Sequence, residues 1–101
     1  MTQPVKHDHV EKRWQKQGFE IATRLDPPGE IGLDPASDAD ELFLLLEGEM
    51  VIEVEGATLE PQVGEEVLVP VGTAHKLRNV GTKKARWLYG LRRIQARYAD
   101  S

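Results

Sequence analysis

The chain contains no cysteine. That excludes disulfide cross-links, thiolate metal sites and cysteine nucleophiles. No apolar run approaches the roughly 20 residues needed to span a bilayer. The start, Met1 to His7, carries no apolar core of signal-peptide length. These absences lead us to expect a cytoplasmic protein with no membrane partner. Positive charge is in the minority, with 13 Lys and Arg against 17 Asp and Glu and a net charge of −4. A nucleic-acid partner normally demands a basic face, so none is expected. Internal repeats and low-complexity segments are also missing.

What remains is an ordinary globular composition, 40 % hydrophobic and 30 % charged over 101 residues. That length makes one domain, able to bury roughly 65 % of its unfolded surface.

The most informative stretch runs from Gly64 to Asn79. Val67, Leu68 and Val69 form a β-rich run suited to a buried strand. Pro70 ends its hydrogen-bond ladder, and Gly72 permits a turn with positive φ. A second strand beginning near His75 places His75, Leu77 and Asn79 on one face and Lys76 and Arg78 on the other. A histidine is thereby aimed at the inner side of a sheet, beside a tight corner.

Residues 1–18 read as an N-terminal polar arm followed by a short helix from about Val10 to Gln17, closed by Gly18. His7 and His9 form a His-x-His pair far upstream of Glu41 and are assigned to a solvated terminus. Phe19 to Leu25 reads as the first strand, and Pro28-Gly29 as the centre of a turn. Glu41 to Leu46 is apolar on both faces after its first residue, so both faces need cover. In so small a domain the second cover is expected to be a partner subunit, hence a homodimer. Glu49 to Glu55, a short strand before Pro61, and Ala85 to Leu91 complete a set of short strands with turn signals between them. The tail of residues 94–101, following Arg92 and Arg93, reads as solvated or subunit-contacting. Such a pattern means an all-β barrel or sandwich.

The five fixed residues Gly64, Pro70, Gly72, His75 and Asn79 match the pattern G-x5-P-x-G-x2-H-x3-N, the second conserved motif of the cupin family. The chain resembles a small single-domain cupin, over roughly Gly29 to Leu91. The resemblance implies an antiparallel jelly-roll barrel, here over residues 19–93. The family's first motif, G-x5-H-x-H-x3,4-E-x6-G, is matched by Gly29, Glu41 and Gly48, but its two histidine positions fall on Pro35 and Ser37. Metal-binding cupins hold one metal with three imidazoles and one carboxylate. Only His75 and Glu41 fill such places here. Proline offers no donor, and a serine hydroxyl is a poor ligand for a late transition metal. Asp34, Asp38, Asp40 or Ser37 would have to join Glu41 and His75 to hold manganese, iron, zinc or nickel, so a divalent metal is disfavoured.

Without metal, Glu41 and His75 would face each other in the barrel interior, as a tentative acid–base pair or as a structural remnant. Phe43, Trp87, Tyr89 and Asn79 are the candidate ligand contacts, with the aromatics either lining or filling the lumen. Cupins include isomerases, epimerases, dioxygenases, decarboxylases, sugar-binding regulator domains and storage proteins, so resemblance alone fixes no activity. The leading expectation is a barrel that binds a small polar metabolite with a degenerate metal site. The alternatives are a small isomerase-, epimerase- or oxygenase-like enzyme using Glu41 and His75, and a structural dimer module. A DNA-binding regulator is not expected, for want of room for a helix-turn-helix.

Overall fold

A computed structural model of the protein describes residues 7–34 and 38–93. One helix, α1 (His7–Lys16), precedes eight strands: β1 (Glu20–Asp26), β2 (Ile31–Asp34), β3 (Ala39–Glu47), β4 (Met50–Val54), β5 (Ala57–Leu59), β6 (Glu66–Val69), β7 (His75–Asn79) and β8 (Ala85–Arg93). They pair as two four-stranded sheets, in the orders β1-β8-β3-β6 and β2-β7-β4-β5. All pairings are antiparallel. Apart from the β4–β5 hairpin, each strand lies in the opposite sheet from the one before it. That alternation is the jelly-roll barrel.

Period-two patterning decides which side chains enter the barrel. Along β7, His75, Leu77 and Asn79 are buried while Arg78 is exposed, as the alternation in sequence requires. Their inner face meets that of the opposing sheet in a core of Phe43, Leu45, Met50, Ile52, Val69, Leu77, Ala85 and Trp87. A strand over Ile31–Asp34 was not foreseen. It pairs with β7 so that Asp34 stands opposite His75 in the backbone register.

The doubly apolar β3 finds its second cover within the chain. Leu42 and Leu44 on its outer face, with Leu88 of β8, pack against Trp14 and Phe19. This corrects the expectation that another subunit supplies that cover. The helix starts three residues earlier than expected, so His7 and His9 stand on its first turn and not in an arm. Gly18, at φ +91°, closes it with the Schellman pair of bonds, Phe19 N–H to Trp14 O at 3.0 Å and Gly18 N–H to Gln15 O at 3.0 Å.

Two further devices fix α1 to the sheet. The Trp14 indole donates to Glu66 Oε1 at 2.9 Å, and Arg13 forks onto both Glu66 oxygens. Arg92 of β8 lies 4.5 Å from the Phe19 ring, donates to Gln17 O at 2.8 Å and pairs with Asp40 at 2.7 Å. Arg92 is thus an internal clamp at the helix C-terminus. Residues 94–101 of the expected tail lie outside the described residues.

Candidate functional site

Glu41 and His75 come together at one end of the barrel. The corner after Val69 delivers His75 to the inner face of β7, where it is 5 % exposed. Its ring meets Phe43 edge-on, with centroids 5.5 Å apart. Glu41 stands at the head of the inner row of β3, above Phe43 and Leu45, and is 4 % exposed. His75 Nε2 lies 3.7 Å from Glu41 Oε1. That distance is too long for a hydrogen bond but within reach of an ion pair or a small side-chain adjustment. The imidazole Nδ1 faces Thr73 O at 3.4 Å.

Tyr89 connects this pair to the outside. In the β3–β8 register Tyr89 opposes Phe43, which makes it the diagonal neighbour of Glu41 on the same face. Its hydroxyl donates to Glu41 Oε1 at 2.7 Å. Its ring forms part of the wall of a cavity of about 120 Å³, completed by Arg24, Asp26, Glu30, Gly32 and Trp87 among others. Glu41 and His75 do not line this space; they lie behind Tyr89. On the other side of Leu77 and Trp87 the interior shrinks to about 10 Å³ between Phe43, Leu45 and Met50. The barrel is therefore filled at one end and open at the other. A larger groove of about 440 Å³ at the far end of β3, beside Gly48, Glu49, Glu60 and Gln62, includes neither histidine nor aromatic rings.

The remaining expected contacts divide. Trp87 lines the cavity, 4 % exposed, and its indole donates to Asp26 Oδ2 at 2.9 Å. Phe43 sits beneath, touching His75, Trp87 and Tyr89 with ring separations of 5.0–5.5 Å. Asn79 is a backbone tie: it donates to Asp26 O and Lys83 O and accepts from Gly81 N–H, all at 2.9–3.0 Å. Asp38 is exposed and pairs with Arg93 at 3.4 Å, while Asp40 accepts from Arg92 and from Val71 N–H. The side chain of Asp34, and Pro35 and Ser37, lie outside the described residues.

Arg24, Asp26, Glu30 and Gly32 were missed as site residues. Placing Trp87 inside was not enough to find them, because the sequence does not show which strand lies beside it. Arg24 is its direct partner in the β1–β8 register, and cross-strand partners share a face.

A family model for the cupin domain matches residues 23–90. The chain belongs to the cupin family. A curated relative of this cupin, the polyketide synthase protein CurC of Streptomyces cyaneus, is 26 % identical over 53 residues. That match takes in 52 % of this chain, which spans about a third (34 %) of the relative's length. Among solved structures, the cupin domain of Cnp3 from Schizosaccharomyces pombe superposes with a TM-score of 0.73 at 19 % identity, covering 82 % of this chain and 61 % of that one. A predicted oxalate decarboxylase from Thermotoga maritima gives 0.69 at 20 % identity, covering 89 % and 76 %. At such identities the likeness is one of fold.

A metal of the kind the family motif implies does not fit the described side chains. They bring His75 and Glu41 together, with Asp38 and Asp40 engaged elsewhere, and no group of three His, Asp or Glu converges among the described residues. Even open catalytic sites usually supply three protein ligands. Among the described residues the arrangement is a buried carboxylate, Glu41, that accepts from the Tyr89 hydroxyl and lies 3.7 Å from the His75 imidazole, with a polar cavity beyond Tyr89. No helix of the described residues is long and apolar enough to cross a membrane.

Proposed function

We propose that this cupin binds a small polar metabolite in the cavity between β1, β2 and β8. The supporting observation is the gap opposite Trp87 and Tyr89. Gly32 forms part of its wall, and a Cβ built there meets no atom within 4 Å. A side chain at this position would occupy ligand space without displacing protein. Two aromatic rings, a guanidinium and two carboxylates around one small cavity give both contact area and polar orientation.

The test is thermal stabilisation by a metabolite panel. A ligand at a hundredfold excess over its Kd adds about 2.7 kcal/mol, which for a domain of this size raises Tm by roughly 10 °C or more. The shift should vanish in Gly32→Val, which fills the cavity. A shift that persists undiminished in Gly32→Val would place the ligand elsewhere.

The Tyr89–Glu41 hydrogen bond favours one second reading, an isomerase- or epimerase-like enzyme. Tyr89 touches the cavity and can pass a proton to or from the buried carboxylate, with His75 behind it. For a turnover measured on a ligand found by the panel, Glu41→Gln should abolish the reaction while leaving binding intact. Retained turnover would remove the acid–base role.

A further inference from the structure

We infer that the ligand is a hydroxylated monocarboxylate, with Arg24 as the clamp for its carboxylate. The inference rests on the binding reading above and narrows it to a substrate class.

Arg24 is placed over two rings of the same wall. Its guanidinium carbon lies 5.7 Å from the Trp87 ring centroid and 6.0 Å from that of Tyr89. Contacts of this kind hold the guanidinium over the ring faces. They leave the N–H donors of the fork available, and those donors match the two oxygens of a carboxylate. Two acids, Asp26 and Glu30, line the same cavity, yet neither is within ion-pair distance of Arg24 among the described residues. Asp26 is instead held by the Trp87 indole.

The charge around the cavity then selects among anions. One guanidinium faces two carboxylates, Asp26 and Glu30. The second negative charge of a dianion or polyphosphate would find only carboxylates to face and no cation left to pair with, whereas a single negative charge can sit on Arg24 and turn its neutral end towards the acids. Carboxylates are acceptors only when ionised, so that neutral end must donate hydrogen bonds. Hydroxyl groups do so. Size sets the other limit: about 120 Å³ admits roughly eight to twelve non-hydrogen atoms, the range of a four- to five-carbon sugar acid.

Isothermal titration of the full chain with D-threonate, with its neutral analogue threitol and with inorganic phosphate tests this directly. Threonate should bind at least about tenfold more tightly than threitol, the scale of one charge-assisted hydrogen-bond pair. Arg24→Gln should bring the two to equality. Arg24→Lys, which keeps the charge and loses the fork, should fall between. Unchanged far-ultraviolet circular dichroism and Tm of both variants would confirm that they are folded, as expected for an exposed side chain. Equal binding of threonate and threitol by the wild type overturns the carboxylate clamp and leaves the cavity reading standing. Preference for threonate retained in Arg24→Gln overturns Arg24 as the clamp. Tighter binding of phosphate than of threonate overturns the monocarboxylate class. Binding of none of the three overturns the inference, while the metabolite panel with Gly32→Val separately decides whether the cavity is a site.

Discussion

The Tyr89 hydroxyl donates to Glu41 Oε1 at 2.7 Å, the same carboxylate oxygen that lies 3.7 Å from His75 Nε2. Tyr89 lines the open cavity and the other two do not. Among the described residues, a ligand in the cavity therefore meets the buried pair through the phenol. Tyr89→Phe keeps the ring and removes that link. Ligand affinity should change only a few-fold, whereas any turnover should fall by about 10²–10⁴, the usual range for losing a general acid or base. Parallel calorimetry and rate measurements on this variant separate the two readings. A full rate in Tyr89→Phe would contradict the relay.

The clamps on α1 make a pH dependence. The hydrogen bond from Arg13, aided by that from Trp14, holds the Glu66 carboxyl below its ordinary 4.5, and the hydrogen bonds from Arg92 and Val71 N–H hold Asp40 below 3.8. A carboxylate whose folded pKa is depressed stabilises the fold fully above its unfolded value, and that contribution fades as pH falls through the folded value. Both groups are partly exposed, so solvent screening keeps each contribution modest. Urea unfolding at pH 7 and pH 3 should show Glu66→Gln and Asp40→Asn less stable than wild type at pH 7. At pH 3 the gap should narrow. A gap that widens in acid would contradict the assignment.

Gly90 and Trp14 should behave as a coupled pair. A Cβ on Gly90 would lie 2.9 Å from Trp14 Cε3 and 3.3 Å from Phe19 Cδ1. Gly90→Ala should cost about 1–3 kcal/mol by overpacking. Trp14→Ala should cost about 3–5 kcal/mol, since the ring is fully buried. In the Trp14→Ala background Gly90→Ala should cost clearly less, because the nearer ring is gone and only the 3.3 Å approach to Phe19 remains. A double-mutant cycle by denaturant unfolding reads the coupling. Simple additivity would mean that α1 does not press on Gly90.

Asn79 should matter for stability and not for ligand. Its amide satisfies three backbone groups at a site 1 % exposed. Asn79→Ala leaves them without that partner and should cost about 2–3 kcal/mol. Asn79→Asp should be no milder, since it turns an acceptor towards two carbonyl oxygens. Calorimetric affinity in Asn79→Ala should stay within a few-fold of wild type; a large loss would return Asn79 to the list of ligand contacts.

The barrel was legible in the sequence because strands in it obey a period of two. His75, Leu77 and Asn79 went inside as the alternation demanded, and Pro70 and Gly72 marked the corner that aims the imidazole. The meeting of Glu41 and His75 followed from the family motif, which carries long-range information that local patterning lacks. The cover of β3 was not legible. Leu42 and Leu44 announce that something must pack on them, but only the tertiary path brings Trp14 and Phe19 there. Arg24 was hidden for a related reason: its meaning depends on standing opposite Trp87, a pairing 63 residues away in the chain that no local pattern reveals. The strand at Ile31–Asp34 was too short to stand out against its Pro- and Asp-rich surroundings.

The most direct test of the central claim uses the two tryptophans, which lie on opposite faces of the same sheet. The Trp87 indole N–H points to Asp26 at the cavity wall, and the Trp14 indole N–H to Glu66 beneath the helix. Each gives its own indole signal in a ¹H–¹⁵N spectrum. On titration with a ligand that stabilises the protein, the Trp87 signal should move and saturate with the binding isotherm while the Trp14 signal stays in place. A Trp87 signal that stays still while binding proceeds, or a Trp14 signal that moves in its stead, would contradict a site at the barrel mouth.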